Sequence, residues 1–230
     1  MPDPEEPATA GARALFEAFP IAMATGTLDG LITDANPAAL VLLGLTREDM
    51  IGRSALVMLH PEERAESAAS IEGIRSGTRR TMRNERRFLR PDGTVVWGDV
   101  WTNVVTDREG RPSYWLSAVV DITARKDAES AQRRLASAVS TSPDAIVATD
   151  LDGTITTWNP GAALLYGYEA ADVVGKDIRL LLPASLRGEI DAGLEAIRLG
   201  GTIESFETNR VRRDGSTVAV SIRASPIRDA

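Results

Sequence analysis

The 230-residue sequence has no cysteine and a single histidine, His60. No disulfide, thiolate zinc centre, iron-sulfur cluster or thiol nucleophile can form, and a multi-histidine metal site is excluded. Positive charge is also in deficit: 26 Lys and Arg against 33 Asp and Glu leave a net charge of −7. Such a balance repels polyphosphates and anionic bilayers, so neither nucleic acid nor membrane is expected as a partner. The uninterrupted apolar runs, such as Ala38 to Leu43, fall far short of the ~18 residues that cross a bilayer. Residues Met1 to Gly11, MPDPEEPATAG, lack the basic n-region and apolar run of a signal peptide and read as a flexible tail. A cytoplasmic location is expected, and the absence of cysteine fits a reducing compartment.

What the chain does contain is an internal repeat. Asp29-Gly30, Asn36-Pro37, Gly44, Asp49 and Gly52 recur as Asp152-Gly153, Asn159-Pro160, Gly167, Asp172 and Gly175, always 123 positions later. Asp92-Gly93 and Asp107 recur as Asp214-Gly215 and Asp229 at a separation of 122, so one single-residue gap aligns two tandem copies.

Each copy reads as an α+β unit. In the second, Ala145 to Thr149 and Thr154 to Thr157 are β-rich runs around Asp152-Gly153, where glycine supplies the positive φ of a tight hairpin. Asn159 before Pro160 marks a helix start, because the amide caps and the ring pre-sets the first helical φ. Leu186, Ile190, Leu194 and Ile197 recur at helical spacing until Gly200-Gly201 stops them. Ile203 to Val211 and Ser216 to Ser225 then flank a second hairpin signal, Arg213-Asp214-Gly215. The first copy repeats the plan, with a helix over Glu62 to Arg75, strands around Arg83 to Leu89 and Thr94 to Thr106, and a last strand from Tyr114 to Val120.

The stretches TDLDGTITTWNPGAALLYGY (Thr149 to Tyr168), RRDGS (Arg212 to Ser216) and DITARKDAE (Asp121 to Glu129) resemble the signature segments of the PAS sensory domains, in particular those of tandem PAS repeats in bacterial signal-transduction proteins. The resemblance covers nearly everything from Arg13 onward. It implies a five-stranded antiparallel sheet per copy in spatial order 2-1-5-4-3, with helices on one face enclosing a small pocket. It also implies a sensory and dimerising role, hence a homodimer, with chemistry left to an effector. Such effectors are typically a histidine kinase, a diguanylate cyclase, a phosphodiesterase or a phosphatase. On this reading residues 12–123 form the first domain with an N-terminal flanking helix, 124–137 a linker signalling helix and 138–230 the second domain. The second copy stops where its last, central strand is due, which reads as a C-terminal truncation before a missing effector. The alternative function is a ligand-free scaffold for protein interaction.

No catalytic constellation stands out. Asp29, Asp92, Asp152 and Asp214 sit in Asp-Gly turns whose backbone explains them, and Glu62-Glu63 complement a helix start. His60, in Leu59-His60-Pro61, reads as a helix-entry residue; the resemblance implies that a haem-binding PAS domain would carry its proximal histidine in the long helix, and Glu62 to Arg75 and Ser185 to Leu199 contain none, so His60 is not expected as a haem ligand. A cysteine adduct to flavin is impossible here. A noncovalent flavin or another small organic ligand remains open, with Trp158 as the stacking candidate and a core role as its competitor. The run Arg75, Arg79, Arg80, Arg83, Arg86, Arg87 and Arg90 lacks interleaved aromatics. It reads as a solvated edge strand or as the counterpart of an acidic surface.

Between the copies, Thr123 is placed to cap a helix on which Ala128, Ala131, Leu135 and Ala138 form a narrow heptad-like seam. This seam either packs on the second domain or runs along a dimer axis. Along Thr94 to Thr106, alternation puts Val96, Gly98, Val100, Thr102 and Val104 inward and Trp97 and Trp101 outward. An exposed tryptophan pair calls for a cover. The candidate is the helix carrying Leu15, Phe16 and Phe19, from the same chain or its twin, which makes these five residues the expected dimer or helix-docking site.

Overall fold

The computed structural model describes residues 5–227, and the chain divides into two compact units, residues 1–130 and 131–230. In the first, α1 (Glu5–Ala18) precedes β1 (Ala22–Gly26) and β2 (Ile32–Ala35), followed by α2 (Pro37–Leu43), α3 (Arg47–Met50), two 3-10 turns and α4 (Arg64–Arg75). Three long strands complete it: β3 (Thr81–Leu89), β4 (Val95–Thr106) and β5 (Pro112–Asp121). They form one antiparallel sheet in the order β2-β1-β5-β4-β3, the order implied by the resemblance. Residues 5–11, expected to be tail, begin a helix instead.

Local chemistry accounts for the punctuation. Gly30, Gly93, Gly153 and Gly215 all take positive φ at the Asp-Gly turns, where a side chain would be strained. Asn36 caps α2 by accepting a hydrogen bond from Ala39 N–H, Pro37 opens the helix, and Gly44 closes it in the left-handed region. The core lies between the inner sheet face and the helices, with Ile32, Leu43, Met50, Met58, Phe88, Val96 and Trp115 buried together.

The helix α5 (Thr123–Thr141) follows, longer at both ends than the expected 124–137. Thr123 does not cap it: its Oγ1 accepts from Trp97 N–H at 3.0 Å, and Asp121 Oδ1 accepts from Thr123 N–H at 2.8 Å instead. No residue of α5 is buried, and the seam residues Ala128, Ala131, Leu135 and Ala138 are exposed, Leu135 by 70%.

In the second unit, β6 (Val147–Thr149) pairs with β7 (Ile155–Trp158), and α6 (Pro160–Tyr166), α7 (Ala170–Val173), 3-10 turns and α8 (Arg187–Arg198) lead to β8 (Ile203–Val211) and β9 (Thr217–Ala224). Among the described residues these strands form two separate two-stranded sheets, β6-β7 and β8-β9. No counterpart of β5 joins them there. The core gathers Ile155, Trp158, Ala162, Tyr166, Val173, Leu181 and Leu182.

Candidate functional site

A cavity of about 150 Å³ lies in the first unit between the inner face of the sheet and helices α2 to α4. Small residues make the room for it. Ala22 and Ala24 of β1 and the hydroxyl residues Thr102 and Ser117 stand where larger side chains would fill the space. Its apolar wall includes Met50, Met58, Phe88 and Ile74. Strand alternation aims Met82, Asn84, Arg86 and Phe88 of β3 inward, while Arg83, Glu85 and Arg87 face the other side.

The polar side of the cavity comes from the inner face of β3 to β5 and from α4. Thr102 Oγ1 and Ser117 Oγ, opposite each other in the β4–β5 register, share a hydrogen bond of 2.6 Å. Arg86 is 8% exposed, and its guanidinium donates to both Glu66 carboxylate oxygens at 3.0 and 2.7 Å and to Glu63 at 3.4 Å. That fork holds the Glu66 carboxyl below its ordinary pKa, by hydrogen bonding first and by charge second.

The reading of the arginine run as a solvated edge holds for Arg75, Arg79, Arg80 and Arg83, which are exposed, and not for Arg86, which is buried. Although β3 is an edge strand, Arg87 pairs with Glu62 and Glu63, Arg83 with Asp99 and Arg75 with Glu72. Part of the matching acidic surface belongs to the same unit: Glu62 and Glu63, expected only to complement a helix start, pair with Arg86 and Arg87 of β3. Sequence spacing hides the Glu62 and Glu63 pairs, because these partners lie 23 to 25 positions apart and meet only when the turn before α4 docks on the strand.

The outer face of the same strands carries the start of α5. Trp97 and Trp101 face away from the core, as the alternation implies, and Trp101 is 45% exposed. Arg83 lies 4.3 Å from the Trp101 ring centroid. Arg87 and Lys126 lie 5.6 and 5.2 Å from that of Trp97. Such contacts contribute about 0.5–1 kcal/mol each at exposed sites. Lys126 Nζ and Arg125 Nη2 both reach Glu85 at 2.6 Å, and together they lower the Glu85 pKa, Lys126 more strongly.

The expected same-chain cover of this face is not formed. Leu15 is 69% exposed and Phe19 46%. Polar bonds hold the end of α1 elsewhere: Arg13 pairs with Asp34, and Asn36 Nδ2 donates to the Phe16 and Phe19 carbonyls at 3.2 Å each. Phe16 stays half-buried, with the Arg13 guanidinium over its ring.

Trp158, the cofactor candidate, is a core residue of the second unit. It is 7% exposed, its indole N–H donates to the Tyr168 carbonyl at 3.0 Å, and its ring packs 5.5 Å from that of Tyr166. The position 123 residues earlier is Ala35. Burial also raises the Tyr166 pKa.

His60 sits at the entry of the 3-10 turn Pro61–Glu63, where its Nδ1 accepts from Glu62 N–H at 3.4 Å. It is not among the residues lining the cavity. The cavity does not fit haem or flavin: a volume near 150 Å³ holds a benzene-sized guest, and drug-sized ligands occupy about 300–1,000 Å³.

Comparison with known proteins agrees with this architecture. The PAS fold family matches residues 12–122 and 133–230, and the chain belongs to that family. It is 28% identical to the biofilm dispersion protein BdlA of Pseudomonas aeruginosa over 209 residues, 88% of this chain and 48% of that protein. Over 117 residues, half of the chain, it is 32% identical to the C4-dicarboxylate transport sensor protein DctS of Rhodobacter capsulatus, covering 18% of the latter. Among solved structures, an RNA-binding light-oxygen-voltage receptor superposes with a TM-score of 0.50 at 20% identity, over 59% of this chain and 38% of the receptor. That likeness shows the fold. The chain spans between 12% and 48% of the length of the curated relatives it matches. PAS domains are sensory units, and these relatives include bacterial sensor proteins. No helix among the described residues is long and apolar enough to cross a membrane.

Proposed function

We propose that this chain is the cytoplasmic sensory and dimerising region of a bacterial signal-transduction protein, with the first unit as its sensor. A change in the cavity, from a bound ligand or from its redox state, passes through β3 to α5 and on to an effector domain that performs the output chemistry. The observation that carries this reading is the alternation on β3: Asn84 and Arg86 line the cavity, and Glu85 between them holds Lys126 and Arg125 of α5. One strand therefore has the sensor on one face and the outgoing helix on the other.

Hydrogen exchange tests the route. Ala24→Leu, which fills the cavity, is expected to change the exchange of residues 123–130, and Glu85→Gln to weaken that coupling. Unchanged exchange in the filled variant would overturn the reading.

The exposed outer face favours a second, compatible role in protein interaction. Trp101, Tyr114 and Val120 are each at least 40% exposed on the sheet, and no described helix of the unit covers them. We assign this face to a homodimer in which Leu15, Phe16 and Phe19 of one copy approach Trp97 and Trp101 of the other. The α5 seam then runs along the dimer axis. A ligand-free scaffold would keep this face and make no use of the cavity.

A further inference from the structure

Resting on the reading of the first unit as a sensor, the inference concerns which chemistry its cavity selects. We propose that it takes a small neutral compound, a single ring bearing an amide-like edge, and discriminates against carboxylates of the same size.

Charge is the first ground. Arg86 is the one charged side chain lining the cavity, and its guanidinium is committed to Glu66 through two hydrogen bonds and to Glu63 through a third. The cation is balanced before any ligand arrives. An anion would have to break these bonds or sit beside two carboxylates, whereas a neutral guest leaves the cluster intact.

The second ground is a side-chain amide available to a guest. Asn84 pairs with Val100 in the β3–β4 ladder and lines the cavity half-buried, and its side-chain amide makes no hydrogen bond among the described residues. Its side chain offers one acceptor oxygen and two donor hydrogens on one plane. A carboxamide or lactam presents the complementary edge, a donor beside an acceptor. Thr102 and Ser117 lie on the same inner face and hydrogen-bond each other, leaving oxygen lone pairs and one hydroxyl hydrogen for the guest. A guest lacking this edge would desolvate Asn84 without compensation.

Size and the opposite wall complete the case. About 150 Å³ admits one ring and excludes fused or macrocyclic cofactors. Met50 and Met58, both buried, supply flexible, polarisable thioethers against which a flat apolar ring packs without a rigid fit.

The test uses the full 230-residue chain with benzamide, benzoate and toluene as matched probes, and riboflavin and haemin as large ones, followed by ligand-observed NMR and thermal shift. Benzamide is expected to bind at least tenfold more tightly than benzoate, and more tightly than toluene. Asn84→Leu should weaken benzamide about fivefold or more while leaving toluene unchanged, and Thr102→Val, a smaller change, should weaken benzamide less. Benzoate binding as well as benzamide, saturable one-to-one binding of riboflavin or haemin, or benzamide affinity unaltered in both variants would overturn the proposed selectivity while leaving a sensory cavity. If no probe binds and Ala24→Leu leaves α5 exchange unaltered, the sensory reading falls with it.

Discussion

Asn36 and Asn159 make the same hydrogen bonds at equivalent positions of the two units. Asn36 Oδ1 accepts from Met23 and Ala39 N–H, and its Nδ2 donates to the Phe16, Phe19 and Ile21 carbonyls. Asn159 Oδ1 accepts from Ile146 and Ala162 N–H, and its Nδ2 donates to the Val139, Ser142 and Asp144 carbonyls. Every partner is displaced by 123 positions. Each amide therefore ties the end of the preceding helix, α1 or α5, to its unit's first strand and to the helix it caps.

Replacing either asparagine strips a buried hub of its partners. The two residues are 0% and 3% exposed, and unsatisfied buried groups cost about 1–3 kcal/mol each. Asn159→Ala is expected to destabilise the second unit by about 2–4 kcal/mol and to raise hydrogen exchange at residues 137–141. Chemical denaturation with local exchange checks this, and a loss within ~0.5 kcal/mol would contradict it.

Acid should weaken the first unit through its paired carboxylates. Glu66 and Glu85 both titrate below their ordinary value of 4.5, held by Arg86 and by Lys126 with Arg125. A depressed folded pKa contributes stability that is full above the unfolded value and is lost as pH falls through the folded one. The unfolding midpoint should therefore drop as pH falls below about 4.5. In Glu66→Gln with Glu85→Gln that slope should flatten, as followed by thermal melts from pH 6 to pH 3.

Disrupting the outer face should separate chains without unfolding them. On the proposed homodimer, Trp97→Ser with Trp101→Arg is expected to shift the mass by light scattering from dimer towards monomer, because both aromatic anchors of the assigned contact face are lost. Circular dichroism should stay unchanged, since neither ring belongs to the core. An unaltered dimer mass would remove these residues from the interface.

Haem should not bind through the single histidine. His60 spends Nδ1 on the Glu62 N–H and stands outside the cavity lining. Haemin titration should show no saturable one-to-one Soret shift that disappears in His60→Ala, and such a shift would refute the placement.

Much of this protein follows from short-range rules that its sequence states directly. Asp-Gly pairs fix the hairpins because only glycine takes their positive φ easily, Asn-Pro pairs start α2 and α6, and strict alternation along β4 sends Val96 inward and Trp101 outward. The doubled spacing makes the repeat visible, whereas the sheet order follows only from the resemblance to PAS domains. Tertiary structure decided what depends on partners distant in the chain. Whether Arg86 meets solvent or Glu66, and whether Trp158 stacks on a ligand or packs against Tyr166 in the core, depends on which elements dock. The cavity likewise has no local signature, since a small residue such as Ala24 reads the same whether a neighbour closes over it or not. Asn36 reads as a helix cap in sequence. Only the folded chain brings the carbonyls of Phe16, Phe19 and Ile21 within reach of its amide and makes it the joint between helix and domain.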